Sequence, residues 1–333
     1  MKKIIGLCYL VISFLITPAI GKVDMNQKNS NIHVDYTANF KFNYMHCIFR
    51  INGLLFHTSN LINRGWEPPS NKQWSEEIGI LLHEGVNRLE IEGIQIPVEP
   101  EDGSSAYCEL TVYASATNRD TGETDGKVVT NLKLTLDEEG KFTTEESQTF
   151  TEPSVTDAPV LIDVGRKTGK EFDWLDNNHI VRRNLHINHF HRDMGWTQAN
   201  VFEDTPENIA RLWLVYDQLT SALTRRDEVA LANLLRPAAK ERDQYDGYTG
   251  KEERRLGDWM EVIREGWERR GFTPSKIDRK NYELERAMHG KLFRFNYKGG
   301  FNASPIRYDV DGGYGTYNFY FTEIDGKIRI GIL

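Results

Sequence analysis

The chain has 333 residues, with 41 lysines and arginines against 49 aspartates and glutamates and a formal net charge of −8. That balance argues against a nucleic-acid binder, whose electrostatic footprint is a basic face. The length exceeds what one average core needs, which predicts two domains.

The N-terminus reads as an export signal. Met1-Lys2-Lys3 is a short positive region, Ile4 to Thr17 is apolar, and Ala19 and Gly21 supply small residues for cleavage before Lys22. Residues 1–21 are therefore expected to be a signal peptide and the mature chain to be periplasmic or extracellular. The apolar run falls short of the roughly 20 residues of a spanning helix, so no transmembrane span is expected after signal removal. Cys8 lies inside the apolar run and lacks the small residue that a lipoprotein signal needs before it. Two cysteines remain, Cys47 and Cys108, each in a strand-like run. In an oxidising compartment such a pair is expected to form one disulfide.

From Ile32 to about Phe150 the signals are for strands. Short aromatic or β-branched runs occur at 33–37, 40–42, 47–51, 53–56, 87–91, 109–113 and 128–136, with turn residues between them. Many short strands without a helical period predict an antiparallel β-sandwich over 32–150. Within it, Trp74 to Ile91 resembles the strand, Gly-x-Asn turn, strand step of jelly-roll and galactose-binding-like sandwiches. Gly85 and Asn87 suit a tight turn with positive φ. That resemblance implies a glycan ligand, for which Trp66 and Trp74 are the candidate stacking rings.

Residues 151–159 are polar, bracketed by Pro153 and Pro159, and read as a linker. The α+β domain is then expected over 160–333. It opens on a histidine-rich segment, with four of the chain's nine histidines at His179, His186, His189 and His191. On a strand His189 and His191 share a face. With Asp193 they could hold zinc or serve as acid/base groups in an envelope hydrolase. The bland account is a polar strand edge.

Helices follow. Thr205-Pro206 is an N-cap followed by proline at the first helical position. Ile209, Leu212, Trp213, Tyr216, Leu219 and Leu223 then repeat at the spacing of one buried helical face. A second helix is expected over 228–235, stopping before Pro237, and a third over 251–270, ending at Gly271. Leu219 to Leu235, a helix, an Arg-Asp turn and a second Ala/Leu helix, resembles the opening of nuclear-transport-factor-2-like domains. That resemblance implies helices packed on a curved antiparallel sheet, a fold that hosts both enzymes and binders. Strands at 291–297, 306–310, 316–322 and 327–332 supply that sheet, and Asp325-Gly326 marks a hairpin. The Tyr-rich end, with Tyr308, Tyr314, Tyr317 and Tyr320, is either core on both faces or a contact surface.

Nucleophile elbows, phosphate loops and His-Glu-x-x-His helices are absent from the sequence. In style the chain is similar to exported periplasmic immunity and accessory proteins. The resulting expectation is a non-enzymatic binding protein that needs no cofactor and recognises another protein, with a glycan or lipid as the alternative ligand.

Overall fold

The computed structural model describes residues 32–58, 72–96, 105–144, 154–156, 158–163, 178–187, 194–247, 253–298 and 303–332. Among them the chain is mostly antiparallel β, in four sheets, with three α-helices. Residues 1–21, expected from the sequence to be a signal peptide, lie outside the described residues. None of the described helices is long and apolar enough to cross a membrane.

The first sheet contains β1 (Ile32–Asn43), β4 (Lys72–Glu77), β6 (Ala106–Asn118), β7 (Thr124–Leu136) and β8 (Phe142–Thr144), in the order β4-β1-β6-β7-β8. Its strands alternate as a half-buried strand must. Val34, Tyr36, Ala38, Phe40 and Phe42 point inward from β1, opposite Cys108, Leu110, Val112, Ala114 and Ala116 of β6.

The second sheet takes β2 (Met45–Ile51), β3 (Leu54–Thr58), β5 (Gly85–Gln95), β10 (Val160–Asp163) and β11 (Asn178–Ile187) in the order β10-β11-β5-β2-β3, with β9 (Ser154–Thr156) also paired to β11. Both sheets contribute to one apolar cluster, with Phe40, Leu110 and Leu134 from the first and Phe49, Ile91 and Leu185 from the second. The Cys47–Cys108 disulfide crosses that cluster from β2 to β6, and both cysteines are fully buried.

Two expectations change here. The stretch read as a linker, 151–159, contains β9. The strands at 160–163 and 178–187, read as the start of the second domain, pair into the sheet of β5. The reason is local: β11 supplies an unbroken ladder of ten partners to β5, from Asn178↔Ile94 to Ile187↔Gly85. A central strand of that length leaves no orphaned backbone groups on that side.

The helices are α1 (Pro206–Arg225), α2 (Glu228–Tyr245) and α3 (Arg254–Glu268). Thr205 caps α1 by accepting from the Asn208 N–H at 3.2 Å. Arg226 takes the left-handed conformation, with φ 54°, that ends α1, and Asp227 caps α2 through the Ala230 N–H at 3.0 Å. α2 does not stop at Pro237 but runs on for two more turns. Ala238, Ala239, Asp243 and Tyr245 beyond it are buried, and this tertiary packing outweighs the hydrogen bond that proline cannot donate.

A fourth sheet, in the order β13 (Tyr282–Ala287), β14 (Leu292–Tyr297), β17 (Tyr320–Ile324) and β18 (Lys327–Ile332), packs under the helices. Phe293, Phe295, Phe321 and Ile330 join Leu212, Tyr216 and Ile263 in a second apolar cluster. On the opposite face, Ala287, Leu292, Tyr320 and Ile332 belong to the first cluster. The inner part of this sheet is therefore covered on both faces. A small third sheet, β12 (Thr273–Pro274), β15 (Arg307–Val310) and β16 (Gly313–Thr316), sits beside it.

The disulfide closes a loop of sequence separation 61. Loop-closure entropy for a span of that size is worth about 4 kcal/mol. The expected outcome is that the Cys47→Ala/Cys108→Ala variant loses about that much stability in urea unfolding, whereas reductant added to the folded protein leaves the buried bond intact until the chain unfolds.

Candidate functional site

Helix α1 and the outer end of the fourth sheet together build an aromatic surface. Trp213 lies flat on Phe295, ring centroids 4.0 Å apart, and the Arg279 guanidinium sits 5.1 Å over the indole while bonding Asp217 at 2.7 Å. Tyr282 meets Trp213 edge-on at 6.3 Å and Tyr297 at 5.8 Å. Partial burial pushes the Tyr282 hydroxyl above its ordinary pKa of 10, and the nearby positive charge of Arg307 opposes that rise. Arg307 in turn covers the ring of Tyr314 at 4.0 Å. Two groups of contacts result, Arg279–Trp213–Tyr282–Tyr297 and Arg307–Tyr314, near enough for the Arg307 charge to act on the Tyr282 hydroxyl.

The exposed members are Arg279, Tyr297, Arg307 and Tyr314, with Tyr314 51% exposed. They are held from below. Tyr308 is buried because its ring folds onto Gly315, its cross-strand partner, where an added Cβ would come within 2.3 Å of the ring. Phe272 at 5.0 Å and Tyr317 at 5.1 Å close around it. The carboxylates in reach are already engaged: Asp217 with Arg279, and Asp309 with Arg307 at 3.5 Å and the Ser275 hydroxyl at 3.0 Å. Tyr rings of this kind suit contact with another molecule, because they bury large areas while losing few rotamers, and the guanidinium groups add planar charged donors.

The structure divides the residues singled out in the sequence. Tyr314 is on this surface, and Tyr308 and Tyr317 support it from inside. Burial pushes the Tyr317 hydroxyl pKa up, and its oxygen has no hydrogen-bond partner among the described residues. Tyr320 lies elsewhere, 4% exposed on the other face of the fourth sheet, where it donates to Glu285 at 2.9 Å. Trp74 is on β4, stacked on Phe40 at 5.9 Å and edge-on to Phe42 at 5.2 Å. Trp66, His189, His191 and Asp193 lie outside the described residues. His179 stacks on Phe142 at 4.4 Å. Among the described residues there is no group of three or more His, Cys, Asp or Glu placed to hold a metal ion.

Trp213 is buried, as its helical spacing predicted, but sequence reasoning missed that it is the base on which Arg279 and Tyr282 gather, and missed Arg279, Tyr282, Tyr297 and Arg307 altogether. These five residues come from five separate elements, so no local spacing signals their contacts.

Two further carboxylates stand side by side on β5. Glu90 and Glu92 are 4% and 2% exposed. Arg182 grips Glu90 with Nε and Nη2 at 2.8 and 2.7 Å, while Arg50 and Asn178 hold Glu92 at 2.7 and 2.8 Å. The pair is a neutralised cross-strand ladder, as burial of a carboxylate requires. Comparison of the chain with family models, curated proteins and solved structures finds no match.

The surface and its support separate by stability. Tyr308→Ala is expected to cost about 3 kcal/mol, as truncation of a buried aromatic does. Tyr314→Ala should change stability by no more than about 0.5 kcal/mol. Urea titration of the two variants checks both.

Proposed function

We propose that this is an exported, non-enzymatic binding protein of the immunity or accessory kind, recognising another protein. In this reading the chain has two domains, a β-sandwich extended through β11 and an α+β domain from about Met194 onward. The observation that carries the proposal is the set of exposed Tyr and Arg side chains from Arg279 to Tyr314, over a rigid Trp213–Phe295 and Tyr308–Gly315 base. Tyr, Trp and Arg are the residues that dominate binding energy at protein interfaces. Export is supported by the Met1 to Gly21 pattern and by the disulfide, which belongs to oxidising compartments. The same exposed rings favour a glycan as the second reading, since planar aromatics stack on sugar faces. A hydrolase would rest on His189, His191 and Asp193, and nothing among the described residues adds to it.

The experiment is affinity capture from an envelope fraction with tagged Lys22 to Leu333, followed by affinity measurement on what is captured. One stoichiometric protein should co-purify, and Arg307→Ala with Tyr314→Ala should weaken it at least about tenfold, the loss of a single anchor contact. Capture of a protein whose affinity the double variant leaves intact would remove this surface from the account. Binding of oligosaccharides in place of a protein, abolished by the same variant, would move the reading to the glycan.

A further inference from the structure

The seam between the second and fourth sheets carries a pair of histidines that the proposed binding surface does not use. His83 follows the short 3-10 turn at 79–81 and His289 lies between β13 and β14, with ring centroids 5.8 Å apart and interplanar angle 72°. Met288, His289 and Gly290 are three consecutive residues in the left-handed region, with φ of 51°, 56° and 83°. For two non-glycine residues in succession this conformation is strained, and it persists only where the surroundings enforce it.

Those surroundings are the seam itself. The Met288 N–H donates to the Asn52 carbonyl at 2.8 Å, the Trp196 indole N–H donates to the Ile80 carbonyl at 3.1 Å, and the Trp196 ring lies 6.2 Å from that of His83. His83 Nδ1 is 2.6 Å from the Glu84 carbonyl oxygen, so Nδ1 carries the proton and donates. Nε2 then holds the lone pair. It is buried and has no hydrogen-bond partner among the described residues.

The charged groups around the pair are mostly positive. Arg88 on β5 reaches Glu90 at 3.3 Å, and Arg286 on β13 reaches Asp204 at 3.1 Å. Lys291 donates to the Thr197 carbonyl, and Glu84 is exposed on the His83 turn. No carboxylate is hydrogen-bonded to either imidazole among the described contacts. A metal would find only two ligands here, and an anion would find cations already engaged. What the arrangement does respond to is a proton.

We propose that His83 and His289 form a pH-sensitive latch on this seam, closed while both imidazoles are neutral and loosened when acid charges them. A proton on His83 Nε2 would be buried without an acceptor, beside a second imidazole. The pKa of His289 supports the direction: partial burial, then His83, Arg88 and Lys291, hold it below the ordinary 6.5. A histidine whose folded pKa lies below its unfolded value contributes stability that is fully present above the unfolded pKa. That stability is lost as pH falls below about 6.5 toward the folded pKa.

Histidine NMR titration of the full mature chain, paired with amide exchange, tests this. The His289 imidazole should titrate below about 6.5. After correction for intrinsic rates, exchange at residues 79–90 and 286–292 should quicken on acidification, by up to about tenfold per pH unit for one coupled proton, while β1 and β6 stay protected. His289→Asn, which keeps a residue tolerant of the left-handed region, should reduce that response, and His83→Gln should do the same. Titration of His289 at or above the ordinary value, exchange at the seam indifferent to pH, or a response that both variants retain in full would each overturn the latch.

Discussion

One residue, through its side chain and its backbone, ties the segments at the seam. Asn52 is 5% exposed, sits at φ 52° in the turn between β2 and β3, and serves three segments at once. Its amide donates to the Leu81 carbonyl and to Asn87 Oδ1, each at 2.9 Å, and accepts from the Arg88 N–H at 2.7 Å. Its own N–H and carbonyl bond Arg88 and Met288. Asparagine is among the few non-glycine residues that tolerate the left-handed region, and it also brings two donors and an acceptor. Glycine would meet the conformational requirement and lose the bonds. Asn87 completes the knot by accepting from the His83 N–H at 3.0 Å and donating to its carbonyl at 2.7 Å.

Because this knot brings the Met288 turn against the second sheet, the inner part of the fourth sheet, around Leu292 to Phe295, is covered on both faces. A strand covered on both sides must bury or neutralise every side chain. β14 does so position by position. Phe293 and Phe295 face the helices, and Leu292 faces the other way with Arg294. Arg294 is fully buried, and Glu285 takes its Nε and Nη2 at 3.0 and 2.9 Å while the Tyr320 ring lies 4.4 Å beneath it. Tyr216 ties the opposite face, its hydroxyl accepting from the Phe295 N–H at 3.0 Å. The same knot thus accounts for why Tyr320 is core and cannot contact a partner.

Local chemistry was legible and long-range placement was not. The Thr205 cap, the Arg226-Asp227 turn and the Asp325-Gly326 hairpin, with φ of 51° and 70°, depend on neighbours in sequence and could be read directly. The pairing of Cys47 with Cys108 was readable because only two cysteines remained to pair. Pro237 misled, since its local penalty is outweighed by burial that only the folded helix reveals. Asn87 misled more subtly: Gly85 has the positive φ of 99°, whereas Asn87 acts through its side chain. Tyr308, Tyr314, Tyr317 and Tyr320 look equivalent in sequence. Gly315 opposite Tyr308 and Glu285 beneath Tyr320 make them different, and neither contact has a signature in the sequence.

Charge placement separates the parts of the molecule that recognise from the parts that hold. Arg50, Arg182 and Arg294 each pair with a carboxylate that is buried, as Glu92 and Glu90 are, or partly buried, as Glu285 is, so their charge is cancelled. Removing Arg50 or Arg294 would take the ion pair from Glu92 or Glu285, and removing Arg182 would leave Glu90 only the longer contact with Arg88 at 3.3 Å. Arg279 and Arg307 differ: each lies over a ring, 53% and 43% exposed at the side chain, with only a solvent-screened carboxylate alongside. Exposed pairs of that kind contribute little to stability. Their worth rises when a partner excludes water, because both the ring contact and the ion pair then act at lower dielectric. A surface that adds little to the fold of its own chain but gains on desolvation is suited to binding.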